Sequence, residues 1–230
     1  MVRLRVVSYN VRSLRDDRAA VVRVIRQLNP DVLCLQEAPR LLRWRGRCAA
    51  LARDTGLLYV GGGGTTGGAA MLASMRVDVQ STLEYRFSRT PRLPERGAVA
   101  ALVVVGGATA VVASVHLGLD ADERIRHRGE LVGMVDRFGA AVTVLAGDLN
   151  ELPDKPAWRA IAAEFTDAGG VDDTPTFSTR VPRRRIDGVF VRGPGRVVSY
   201  RVVDGVDVLA ASDHRPVVAE VELEAAARRR

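Results

Sequence analysis

Lysine is almost missing from this chain of 230 residues: of its 34 basic side chains one, Lys155, is lysine and the rest are arginine. Cysteine is nearly as scarce, with only Cys34 and Cys48, 14 positions apart. Neither belongs to a C-x-x-C pair or has a histidine pair nearby, which argues against a zinc site. Cys34 lies in the apolar run DVLCLQ and reads as a small buried hydrophobe, not as a nucleophile. Long apolar stretches are missing too. The best of them, VASVHL and VTVLAG, fall far short of the roughly 20 residues that cross a bilayer. The first ten residues, MVRLRVVSYN, interleave charge with strand-forming side chains, unlike a signal or transit peptide. A cytoplasmic protein with no membrane span is expected.

The chain is 47% hydrophobic and 27% charged, enough apolar matter for a substantial core and too much for disorder. Its formal net charge is +7. Richness in Ala, Val, Gly and Arg together is what a G+C-rich coding sequence produces, so the arginines need not all face a partner. Exchanging lysine for arginine leaves net charge untouched, however, and the surplus supports a polyanionic substrate such as nucleic acid.

Alternation and β-branched content predict strands at about 3–9, 31–36, 69–73, 77–86, 98–105, 109–116, 142–147, 186–192, 196–203 and 216–223. Val21, Val24, Ile25 and Leu28 trace the stripe of an amphipathic helix that Asn29 and Pro30 stop. Further helices are expected at 40–54, at 121–138 and from Pro153 or Pro156 to Glu164. Gly106 and Gly107 between two β-branched runs signal a hairpin. The glycines at 61–64, 67 and 68 fit neither a phosphate loop nor a dinucleotide fingerprint and read as a mobile loop bordering a cleft. No linker or repeat divides the chain, so one domain over 1–224 is expected, with a charged tail at 225–230.

Polar residues recur where apolar strands end. Asn10 closes VVSYN, Glu37 closes VLCLQE and His116 closes VVASVH. Asp148 and Asn150 follow VTVLAG, Asp187 interrupts RRRIDGVF, and Asp213 with His214 precede the last strand. Open α/β proteins place ligands at such a common edge. Bland alternatives exist for each: an Asx turn in GDLN, a turn cap at Asp213, an ion pair between Asp187 and Arg185. Their number favours a site. Glu, Asp and Asn together form a hard-oxygen set suited to Mg²⁺ or Mn²⁺, which would clamp a phosphate oxygen. Histidine beside a carboxylate is favoured in its protonated form, which suits phosphoester hydrolysis.

These six motifs, SYNV, LQE, SVHL, GDLN, RID and SDHRPV, in that order over nearly the whole chain, resemble the endonuclease/exonuclease/phosphatase superfamily. The resemblance implies a four-layer α/β sandwich of two packed mixed β-sheets flanked by helices, as in DNase I. It implies Glu37 as principal metal ligand, with Asn10 and Asp213 near the metal or its waters. Asp148 would orient or deprotonate the attacking water, Asn150 would hold that water or a phosphate oxygen, and His214 paired with Asp187 would contact the scissile phosphate. His116 followed by Leu117 matches the DNase I-like and phosphatase-like members, not the abasic-site enzymes, although no glutamate partner for His116 is evident. Arg124 matches a frequent helix arginine and could brace the site or be plain surface charge; Arg96 has the same standing. The expected activity is metal-dependent hydrolysis of a phosphodiester, with hydrolysis of a phosphomonoester, phospholipid or inositol phosphate as the alternative. An inactive binding module would have lost acidic residues that are present here, and a purely nucleic-acid-binding protein would leave the strand-end carboxylates unexplained.

Overall fold

In the computed structural model, which describes residues 1–225, the chain runs β1 (Val2–Asn10), α1 (Arg18–Leu28), β2 (Val32–Gln36), α2 (Trp44–Thr55), β3 (Leu58–Gly62), β4 (Ala70–Ala73) and β5 (Val77–Arg86). It continues through β6 (Gly97–Val105), β7 (Ala108–His116), α3 (Ala121–Asp136), β8 (Thr143–Asp148), α4 (Pro156–Ala162) and β9 (Thr166–Asp167). It ends with β10 (Asp187–Arg192), β11 (Arg196–Val202), α5 (Val206–Ala211) and β12 (Val217–Leu223). Every strand expected from the sequence is present to within one residue at each end. Except for Ala225, the expected charged tail at 225–230 lies outside the described residues.

The strands form two six-stranded sheets, ordered β11-β12-β1-β2-β4-β3 and β5-β6-β7-β8-β10-β9. Each has one parallel pair near its centre, β1 with β2 and β7 with β8, and antiparallel neighbours elsewhere. Valine-rich strands are apolar on both faces because both faces are covered. In β1, Leu4 and Val6 point toward the second sheet and meet Val112, Val144 and Val189, while Val7 and Tyr9 point outward onto α1, α2 and α5. On the other sheet Val111, Ala113 and Leu145 face α3 and α4. The result is the helix–sheet–sheet–helix sandwich that the motifs imply.

Local chemistry sets the helix limits. Asp17 caps α1 by accepting from the backbone N–H groups of Ala19 and Ala20 at 2.8 and 3.1 Å, and Asn29 turns the chain out of it at φ 45°. The helix expected from residue 40 starts only at Trp44, because Arg43 holds a left-handed φ of 57° that an α-helix cannot absorb. The glycine-rich stretch corrects the sequence reading. Gly61 and Gly62 belong to β3, and the turn after them is packed, with Gly63 donating to the Ala69 carbonyl at 2.6 Å and Gly68 to that of Gly63 at 2.8 Å. Glycine is needed there, since a Cβ on Gly62 would lie 2.2 Å from the Ala69 oxygen.

Gly147 has a comparable role one residue before Asp148: a Cβ there would sit 2.0 Å from the Val115 carbonyl oxygen. Substituting alanine must push β8 from β7. We expect G147A to lose about 1–3 kcal/mol, the usual cost of overpacking. G133A, on α3 with open space around it, should gain up to about 1 kcal/mol from helix propensity. Urea midpoints of the two variants check both; G147A as stable as the parent would overturn the packing argument.

Candidate active site

Side chains alternate along a strand, so the residues in phase with the inner valines continue to face the gap between the sheets at the strand ends. Val6 and Ser8 lead to Asn10, Val112 and Ser114 to His116, Val144 and Ala146 to Asp148; from the other direction Val191 and Val189 lead to Asp187. Register aligns them. His116 pairs with Asp148 across β7 and β8, and Asp148 with Asp187 across β8 and β10. All four are 1% exposed. His214, just before β12, reaches the same place at 6% exposure.

The side chains bond to one another. Asn10 Nδ2 donates to Asp148 Oδ2 at 3.0 Å, a bond that joins the two sheets. Asn150 Nδ2 donates to His116 Nε2 at 3.1 Å and to the Leu117 carbonyl at 3.0 Å. Asp148 Oδ2 is 3.4 Å from His116 Nε2 and 3.8 Å from His214 Nε2. Its Oδ1 accepts from the Asn150 backbone N–H at 2.9 Å. The Asx turn is thus real, and the same carboxylate also serves the cluster with its second oxygen. Asp187 offers both oxygens to His214 Nδ1, at 2.9 and 3.2 Å. It makes no pair with Arg185, correcting that alternative: Arg185 binds Asp167 at 2.6 Å and stacks between Trp158 and Tyr200.

These contacts separate the proton affinities of the two histidines. Burial alone would lower the His214 value, but the charges of Asp187 and Asp148 outweigh it and raise it to about 9. Burial drives His116 well below its ordinary value, and the positive charges of Arg96, His214 and Arg40 add to the effect. His116 is therefore a neutral imidazole that accepts at Nε2 from Asn150, and its Nδ1 has no hydrogen-bond partner among the described residues. Burial pushes Asp148 up to about 6, and the nearby charge of Asp187 adds to it.

Glu37 and Asp213 flank this network. Glu37 sits at φ 48°, a left-handed geometry that costs a non-glycine residue about 1–2 kcal/mol. Backbone bonds hold it there, from Ser13 N to the Glu37 carbonyl at 2.7 Å and from Ala38 N to that of Gly68 at 2.8 Å. Its half-buried carboxylate has no hydrogen-bond or ion partner among the described residues. Asp213, one-third exposed, pairs with Arg12 at 3.3 Å. Among the described residues, Asp148, Asp187 and His214 form the one group of three histidine, cysteine or acidic side chains whose ligand atoms converge within 4.8 Å. Arg124 braces the loop after β7: it binds Glu151 at 3.0 Å and donates to the Leu119 carbonyl at 2.7 Å. Both cysteines are buried, and burial raises their thiols, that of Cys48 to about 11.

Further groups support the site, among them Ser212, the first residue of the SDHRPV motif. Ser212 Oγ donates to the Asn10 carbonyl at 2.7 Å and accepts from His214 N at 3.3 Å. Thr176 Oγ1 accepts from the N–H of Asp187 at 3.2 Å, and the ring of Phe177 lies 4.8 Å from that of His214. Thr176 and Phe177 belong to no sequence motif, and only the fold brings them to the rim.

Two mixed sheets, helices outside and a polar cluster at one rim define the DNase I-like α/β sandwich. Within that class the chain belongs to the Endonuclease/Exonuclease/phosphatase family, whose profile it matches over residues 7–214. Members of this family are hydrolases of phosphoester bonds. No curated protein sequence matches the chain. Among solved structures it is similar to an endonuclease/exonuclease/phosphatase from Bacteroides vulgatus, at TM-score 0.83 and 18% identity over 97% of this chain and 100% of that one. It is similar to a mannosyl-6-phosphatase of Bacteroides thetaiotaomicron, at 0.77 and 19% over 96% and 100%. The TDP2 of D. rerio in complex with single-strand DNA product gives 0.75 and 18% over 96% and 100%. At these identities the likeness establishes the shared fold.

Because the folded value of His214 lies above its unfolded value near 6.5, its pairing contributes stability in full below that pH and loses it as pH rises through about 9. In D187N the imidazole keeps its burial and loses its nearest anion. We expect its NMR titration midpoint to fall from about 9 toward or below neutrality; an unmoved midpoint would refute the assigned cause.

Proposed function

We propose that the chain is a divalent-metal-dependent phosphodiesterase, hydrolysing its substrate by in-line attack of water. The observation that carries this reading is the convergence of Asp148, Asp187 and His214, with the imidazole protonated and its Nδ1 fully engaged by Asp187. Only Nε2–H is then left to donate, and it is suited to a phosphoryl oxygen. Asp148, its proton affinity raised, accepts the proton of the attacking water. Asn150, both of whose Nδ2 contacts are internal, has its side-chain carbonyl oxygen left to orient that water. His116 is a positioning residue that holds Asn150; a neutral imidazole is a poor proton donor, which argues against a general-acid role. His116 followed by Leu117 supports the DNase I-like and phosphatase-like branch over the abasic-site enzymes.

The residues fit a hard cation. Glu37 is a half-buried carboxylate with no close ion or hydrogen-bond partner among the described residues, held in a strained conformation at the rim, the kind of strain that clusters at ligand sites. With Asn10 and Asp213 it supplies only oxygen donors, which favours Mg²⁺ or Mn²⁺ over softer ions. When bound, such an ion offsets charge growing on the leaving oxygen. Arg12 competes for Asp213, so the aspartate is better suited to hold the ion's waters than the ion itself.

Hydrolysis of bis(p-nitrophenyl) phosphate should require Mg²⁺ or Mn²⁺ and cease with EDTA. D148N and H214N should each lower kcat by about 10²–10⁴-fold, the usual worth of a positioned acid or base, with unchanged circular dichroism. E37Q should raise the Mg²⁺ concentration giving half-maximal rate. Turnover that survives chelation, or D148N at the parental rate, would sink the reading. A panel of DNA, RNA, inositol phosphates, sphingomyelin and sugar phosphates then ranks diesters against the monoester alternative.

A further inference from the structure

Beside Glu37 the rim opens into a cleft of about 390 Å³ whose lining includes Arg15, Arg40, Arg47 and Arg96. Glu37 is the sole acidic residue lining it. Arginines elsewhere are mixed: some meet carboxylates closely, as in Arg5 with Glu220, Arg18 with Asp54 and Arg23 with Asp207, at 2.6 to 2.7 Å, and others stand singly on the surface. None of the four cleft arginines has an ion pair among the described residues. Arg40 and Arg47 make only long contacts of 3.5 Å, to the carbonyl oxygens of Gly67 and Ser13. Arg96 is the most telling of them. It is 8% exposed and its Nε is buried with no hydrogen-bond partner among the described residues. The carboxylates of Asp148, Glu37 and Glu123 act on its charge, but none stands within ion-pair distance, which leaves its N–H donors free for a ligand.

The fold builds this cleft deliberately from distant pieces. Arg96 immediately precedes β6, where its carbonyl accepts from Phe87 N at 3.0 Å. The packed glycine turn closes against it: Gly67, at φ 65°, approaches so closely that a Cβ would lie 2.6 Å from the Glu95 carbonyl and 2.9 Å from Arg96 N. Arg40 comes from the segment entering α2, Arg47 from the first turn of that helix, and Arg15 from the turn after β1.

We propose that this cleft is a second anion subsite, which takes a phosphate group adjoining the scissile one. Resting on the function proposed above, it names the substrate class: a phosphoester carrying a second phosphate close to the bond that is cleaved. A planar guanidinium offers paired N–H donors to phosphate oxygens, and several converging ones suit a dianion. The shared chemistry is the neighbouring phosphate, whether on a nucleotide or on an inositol ring.

Calorimetric titration of the full-length chain with inorganic phosphate, at fixed ionic strength and with Mg²⁺ present, tests the subsite apart from catalysis. H214N, which disarms the scissile-phosphate position and leaves the cleft intact, should still bind phosphate. Adding the exposed substitutions R40Q and R47Q should weaken that binding at least tenfold. No binding to H214N, or binding that R40Q and R47Q leave within twofold, would overturn the subsite. In kinetics, the parental kcat/KM should favour pTpT over TpT, or inositol 1,4-bisphosphate over inositol 1-phosphate, and R40Q with R47Q should collapse that ratio. The arm that collapses identifies the source; ratios near one in both would refute the substrate class. A parent that cleaves none of these and still binds phosphate through Arg40 and Arg47 would refute the catalytic reading alone.

Discussion

Two carboxylates removed from water, Asp148 and Asp187, face each other at the same register position of adjacent strands, and the imidazolium of His214 joins them. Unit charges of like sign 4 Å apart repel by about 4 kcal/mol at an effective dielectric near 20. Such a pair persists only if a cation stands between them or one carboxylate takes up a proton, and both tendencies are present: His214 is held charged, and Asp148 is pushed toward protonation. Every other feature of the rim supports this balance. Ser212 fixes the His214 backbone, Thr176 fixes that of Asp187, and Asn10 satisfies Asp148 from the opposite sheet.

The balance requires that two sheets meet with their strand ends level. Beneath the rim, Ser114 Oγ donates to the Leu35 carbonyl at 3.0 Å and Gln36 Nε2 reaches Ser114 Oγ at 3.4 Å, so polar links cross the sandwich directly below the Asn10 to Asp148 bond. Deeper still the interface is apolar, mostly valine and alanine with Leu4, Cys34, Met71 and Leu223. A hydrophobic interior gives strong association with little directional preference; the polar layer supplies the direction. A slip of one residue in either sheet would turn Asp148 or Asn10 to the helix-covered face, where apolar neighbours leave it unpaired.

That same parity explains why so much of the site was legible. The inner-facing positions of each strand form an apolar series that ends in a polar residue, and Asn10, His116, Asp148 and Asp187 are where those series break. β3 escaped notice because LYVGG carries two glycines and no alternation, and α5 because six residues, VDVLAA, are too few to show a helical stripe. The glycine run looked mobile because glycine marks conformational freedom, whereas here it permits close approach, and nothing local distinguishes the two. The alternative ion pair of Arg185 fails for a related reason: Asp187 is near in sequence, but the β9 to β10 pairing brings Asp167 to it instead.

Charge distribution gives the basic composition a direction. At the Asp213 end of the rim, Arg12 is neutralised by Asp16 at 3.1 Å and by Asp213, so that flank offers little net attraction to an anion. At the Glu37 end, four arginines stand without ion partners, and a cation on Glu37 would remove the one opposing charge among the cleft-lining residues. The charges of Arg96 and Arg40 reach the rim, where they add to the burial that depresses the proton affinity of His116. An overall charge of +7 could have been spread evenly by a compositional preference for arginine. Four arginines that line one cleft without ion pairs, beside the buried cluster of Asp148, Asp187 and His214, instead concentrate positive charge at this rim.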